Sequence, residues 1–252
     1  MASGTRATHA HVRRFPGWRG LLWQAVVVVA AVLAYFGVRG LTQSDAATAE
    51  ANARDVVALE RALGLDVEAS LQEAIVHQDT IVTLANWVYI YGHWPVVALS
   101  LGVLFATAPD RFRLLRNAMF ASGAIGLVIF ALYPVAPPRF GVLDVLDTVT
   151  DRSSSYRTLQ PPGLINRYAA VPSLHFGWNL LVGIVLWRTT RNPAVRAFAL
   201  AMPVLMALAV VVTGNHYVVD VIAGGLVALA GLAIARALPD DLPAALRRRR
   251  AA

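Results

Sequence analysis

The sequence contains no cysteine. That excludes disulfides, Cys-ligated metals and thiol nucleophiles, and leaves redox compartment unreadable. Charge is also scarce. Charged residues make up 15% of the 252-residue chain, against about 25% in a typical soluble domain. Apolar residues fill the gap at 57%, and the mean hydropathy is +0.57. This balance points to one integral membrane domain rather than a soluble enzyme. The HExxH signature of zinc peptidases is missing, and no internal repeat or low-complexity stretch stands out beyond a basic tail. A net charge of +7 raises the question of nucleic acid. Most arginines, however, lie between apolar runs and at the ends, as topology signals do, so no nucleic-acid partner is expected.

What is present is a series of six apolar segments of spanning character: Leu21–Val38, Ile81–Ala106, Leu114–Tyr133, Leu174–Trp187, Val195–Thr213 and Tyr217–Leu238. The first follows Arg13, Arg14 and Arg19 as a signal peptide would. Its length, and the distance to the small-residue site Ala49-Glu50-Ala51, favour a retained span. Arginines cluster in the N-terminal region, at Arg111, Arg113 and Arg116, at Arg188, Arg191 and Arg196, and at Arg247–Arg250. All four regions fall on one side, which the positive-inside rule makes cytoplasmic. The expected fold is therefore all-α: a six-span bundle in the plasma membrane with both termini cytoplasmic. Residues 1–20 form a basic N-terminal segment, 21–238 the membrane domain and 239–252 a basic tail. Between Ala46 and Ile75, Val56, Leu59, Leu63, Val67, Leu71 and Ile75 recur at helical spacing, predicting an amphipathic helix on the outer surface or a linker helix covering the bundle.

The same topology brings three polar stretches to the outer face. "YPVAPPRF" (Tyr133–Phe140) leaves the third span, "VPSLHFGW" (Val171–Trp178) enters the fourth, and "TGNHYVVD" (Thr213–Asp220) joins the last two. His216 and Asp220, at i and i+4, share a helix face. A carboxylate there can fix the imidazole tautomer and leave the other nitrogen as nucleophile or base. The bland alternative is a His–Asp pair that satisfies two interfacial polar groups. Ser173 is a natural N-cap, with His175 in a first turn whose N–H groups suit a phosphate. Arg139, after Pro137 and Pro138, offers a fork of donors for phosphate oxygens, or for lipid headgroups. Two histidines and an aspartate are also a conceivable zinc set, but an arginine beside them favours an anion over a cation. Asn86, Tyr89 and His93 share one face of the second span. The first two are nearer the outer end and are candidates for the pocket, whereas His93 counts as about 20 Å deep and reads as a packing group.

PSxH followed by HxxxD between spans resembles the type 2 phosphatidic acid phosphatase superfamily. "VPSLHFGW", "TGNHYVVD" and "APPRF" look most like its inositolphosphotransferase branch, which includes the fungal inositol phosphorylceramide synthases. The motifs cover about Pro134 to Gly225. The resemblance implies a lipid-phosphate phosphatase or phosphotransferase working at the outer face, with water or an alcohol such as inositol as acceptor and no cofactor or metal. It implies His216 as nucleophile forming a phosphohistidine, Asp220 as its orienting partner, His175 as acid and base, and Arg139 with Ser173 as phosphate ligands. The chain departs from the family pattern in Leu174, where PSGH has glycine, and in Ala209 and Val210, where a Ser-Arg pair is usual. The lysine of the usual upstream motif is also not evident. Arg157 or Arg167 are candidates to supply the lost cation. The contrasting class is a transporter or scaffold with a relic site, for which repeats or broken helices are expected. The sequence shows neither.

Overall fold

The computed structural model describes residues 18–41, 45–152 and 167–238. The proposed N-terminal segment and tail therefore lie almost wholly outside the described residues, as does Arg157. The described chain is helical: α1 Trp18–Leu41, α2 Ala46–Leu63, α3 Glu68–Val76, α4 Asp79–Tyr91, α5 Trp94–Thr107, α6 Pro109–Leu132, α7 Thr148–Arg152, α8 Leu174–Thr189, α9 Pro193–Val212 and α10 Val218–Ala237. Helices stand at all six expected positions. By length and composition three of them, α6, α9 and α10, suffice to cross a membrane. The pair α4 and α5 makes a fourth if read as one span.

That pair corrects the expectation of unbroken helices. It bends by 46° at Gly92–His93. Pro95 in the first turn of α5 lacks an N–H, and its ring crowds the carbonyl four residues back, so it favours a break there, although α9 accommodates Pro203 within one helix. Other ends follow ordinary capping rules. Asp45 caps α2 through the Thr48 N–H, and Asn192 caps α9 through Ala194, with Pro193 in the first turn.

The amphipathic segment is also two helices rather than one. Gly64, at φ 69°, closes α2 with bonds to Arg61 and Glu60 carbonyls, a conformation that favours glycine. The buried face of α2 is Ala49, Ala53, Val56, Val57 and Glu60. Leu59, Leu63 and Leu71 of the expected stripe are exposed, so this layer docks through its small residues and turns several leucines outward.

The centre is built from α6, α8, α9 and α10, whose close approach depends on small residues. Gly224 of α10 lies against the Ser173 carbonyl, where an added Cβ would stand 2.2 Å from that oxygen. Gly177 of α8 faces the Gly224 carbonyl, and a Cβ there would meet it at 2.6 Å. The starts of α8 and α10 are thereby locked together. Trp178 Nε1 donates to Ser122 Oγ at 3.2 Å, tying α8 to α6. Arg116, expected as a topology signal, is buried and donates to Gln24 of α1 and Asn117.

Candidate active site

The three polar stretches meet at one end of the bundle. Val135 pairs with Ala169 in an isolated parallel bridge, so the stretch leaving α6 runs beside the one entering α8. The Arg139 N–H donates to the Gly214 carbonyl at 3.0 Å, and the Ser173 N–H to the Asp220 carbonyl at 3.0 Å. Backbone bonds thus connect all three. Gly214, at φ 71°, makes the turn out of α9, and a Cβ there would press on the Leu146 carbonyl at 2.8 Å.

His216 follows that turn and is 6% exposed. Its Nδ1 lies 2.9 Å from the Ala170 carbonyl and 3.2 Å from Asp220 Oδ2. A carbonyl oxygen only accepts, so Nδ1 must carry the hydrogen, and the Nε2 lone pair is left for chemistry. Asp220 is fully buried in the first turn of α10, and its Oδ2 also accepts the Tyr217 N–H at 2.9 Å. Its position is therefore set by the helix start as well as by the imidazole.

His175 lies in the first turn of α8, half-buried, with its ring centroid 5.9 Å from that of His216. Tyr89 stacks on it at 4.7 Å. Ser173 is fully buried and caps α8, accepting the Phe176 N–H. Arg139 pairs with Asp147 at 3.1 Å through Nε and donates to Asn215 Oδ1 through Nη1. It therefore braces the loop carrying His216. Asn86 is buried, with both ends of its amide bonded to Thr148, at 2.8 and 2.9 Å. Arg167 is exposed. Ala209 and Val210, at the positions where the resemblance implies a Ser-Arg pair, pack in an apolar cluster with Met206 and Tyr89. The chain has no lysine at all.

Depth counted along a straight helix misplaced His93. Its ring lies 4.2 Å from that of His175 and 5.7 Å from that of Trp178. The cause is the thickness of this end of the bundle. The segment around α7 rises beside α4, with Arg152 bonded to Asp79 and Val76, so His175 and His216 lie well below the start of α4.

Sequence reasoning missed several groups here. Gln72 bridges Leu146 and Val212 carbonyls at 3.0 and 2.9 Å and accepts the Leu146 N–H. Tyr217 donates to the Ala136 carbonyl at 3.0 Å. Glu60 and Glu68 reach from α2 and α3 to α10, accepting the Val219 and Val218 N–H groups at 2.8 Å each. Their helices read as a surface layer, so these carboxyls looked solvent-facing. The available clue was Glu60 sharing a helical face with Val56 and Val57.

A helical bundle with apolar, membrane-length helices and a buried His–Asp pair beside a second histidine is the class defined by these observations. A family model described as the PAP2 superfamily matches residues 54–234, and the chain belongs to that superfamily. No curated protein and no solved structure matches the chain. Membership and the apolar helices together fit a membrane phosphatase-like protein.

Proposed function

We propose that the protein is an integral membrane lipid-phosphate phosphatase or phosphotransferase that works through a phosphohistidine at the outer face of the plasma membrane. The supporting observation is the His216 imidazole, whose Nδ1 is committed to Ala170 and Asp220. The Nε2 lone pair attacks phosphorus, and the bond to the leaving oxygen breaks as His175 donates its proton to that oxygen. Asp220 stabilises the positive charge that develops on His216. In the second step His175 removes a proton from water or an alcohol, whose oxygen displaces His216 from phosphorus. The Ser173 hydroxyl and the uncommitted Arg139 donors hold the phosphoryl oxygens as charge shifts. Tyr89 fixes the plane of the His175 ring.

In this reading α1, the α4–α5 pair, α6, α8, α9 and α10 are six spans, with both termini cytoplasmic. The exposed leucines of α2 and α3 rest on the outer leaflet. The "APPRF" stretch and the loss of the Ser-Arg pair support the inositolphosphotransferase-like branch, hence an alcohol such as inositol as a second substrate. The test is dephosphorylation of a panel of lipid phosphates in detergent, read both as free phosphate and as phosphorylated alcohol, with and without inositol, for wild type and His216→Ala. Turnover only with the alcohol marks a transferase, and equal activity in the two proteins sinks the mechanism. The bend between α4 and α5 favours a second reading, a transporter or scaffold with a relic site. That reading requires wild type to turn over none of the panel.

A further inference from the structure

The start of α10 holds an unusual concentration of acid. Asp220 accepts from Tyr217, Glu68 from Val218 and Glu60 from Val219, so three successive N–H groups each meet a different carboxylate. All three acids are 0% exposed. Orphan N–H groups at a helix start welcome negative charge, but only about half an elementary charge is offered there. Three buried carboxylates exceed that, and among the described residues no arginine pairs with Glu60 or Glu68. The second oxygen of each, Oε2, is buried and accepts no hydrogen bond from a described N–H or O–H group. Both orphans are relieved at once if a single proton sits between the two Oε2 atoms, since one carboxyl then donates to the other.

We propose that Glu60 and Glu68 are a proton-sharing pair that positions the catalytic histidine: they clamp the first turn of α10 so that Asp220 meets His216 Nδ1. The proposal rests on the phosphohistidine reading for its catalytic consequence. Neither glutamate touches the imidazole, so both act through Asp220. The groups facing the pair are Tyr217 and Asp220, with His216 beyond Asp220. Burial first, then the charge and hydrogen bonding of Glu68, push Glu60 from 4.5 up to about 8.

The sign of the pH effect follows. A carboxyl raised on folding stabilises the fold fully below its unfolded value, and that contribution is lost as pH rises toward about 8. The pair also gains a second negative charge on that rise, next to a site that must accept an anionic phosphate. Glu60→Gln keeps an acceptor for Val219 and supplies a donor to Glu68, yet cannot ionise.

The experiment compares wild type, Glu60→Gln, Glu68→Gln, Glu60→Ala and His216→Ala in detergent, by melting temperature and by phosphate release from about pH 5 to about pH 9. The pair predicts that wild type melts progressively lower as pH rises, and that either glutamine variant flattens this dependence. It predicts a fall in wild-type kcat near pH 8 that the glutamine variants shift upward. Glu60→Ala loses about 10–100-fold in kcat with KM within about 3-fold, and Glu60→Gln recovers most of it. Glutamine variants that keep the wild-type pH dependence of melting overturn the pair, as does Glu60→Gln being as damaged as Glu60→Ala. If Glu60→Ala fails to fold, the glutamine variants still decide. Activity retained by His216→Ala overturns the catalytic reading alone, since melting needs no turnover.

Discussion

The starts of α8 and α10 lie against each other, each carrying a histidine, but they are finished differently. Among the described residues the side chain that caps α8 is a neutral serine, and His175 beside it is half-buried. The start of α10 is filled by three carboxylates, and His216 beside it is nearly closed off. Two helix starts of the same kind would both attract phosphate. The acids at α10 remove that attraction from one of them. Under the proposed mechanism the contrast divides the work: the start of α8 would receive the phosphoryl oxygens and handle protons, while the start of α10 would hold in place a nucleophile, His216, whose charge changes during the reaction.

The strongest test of this contrast removes the two histidines in turn. His216→Ala should lower phosphate release by about 10^4-fold or more, since it deletes the attacking atom. His175→Ala should cost about 10^2–10^4-fold, the usual worth of one acid–base group. Asp220→Asn keeps the shape of α10 but not the charge that stabilises the imidazolium. A loss of about 10^3-fold in kcat with little change in KM is expected from steady-state kinetics. Ser173→Ala acts on the α8 side. It should raise KM and the inhibition constant of inorganic phosphate by about 10-fold, and cost about 1 kcal/mol of stability through the lost cap. A Ser173→Ala protein that binds phosphate as well as wild type would erase the distinction between the two helix starts. The smallest effect is structural. Gly224→Ala forces the Ser173 carbonyl away from a Cβ at 2.2 Å and should lower stability by about 1–3 kcal/mol in a thermal melt.

The helices and the three polar stretches were legible because both rest on local pattern: apolar length, arginine flanks, and motifs such as Thr213–Asp220. Their meeting at one end followed from counting spans, and the bonds from Arg139 to Gly214 and Ser173 to Asp220 give that meeting its geometry. What stayed hidden depends on neighbours distant in sequence. Helical periodicity picked out Val56, which is buried on the docking face, but also Leu59, Leu63 and Leu71, which are exposed, while Ala49, Ala53 and Glu60 complete the face that docks. In a membrane protein exposed leucines meet lipid as readily as buried ones meet core, so apolarity does not say which face turns inward. His93 was misjudged for a related reason. Counting residues along α4 gives distance from the helix end, but not how high the segment around Thr148 rises beside it. Pro95 was visible in the sequence but does not alone foretell the bend, since α9 runs on through Pro203.

The central claim is that His216 takes the phosphoryl group. It is tested most directly by rapid quench of wild-type protein mixed with a lipid phosphate labelled on phosphorus, followed by mapping of the label. Label appearing on His216 before product release, acid-labile and stable to alkali, is the predicted result. Full turnover with no label on the protein, or with label on another residue, would contradict it.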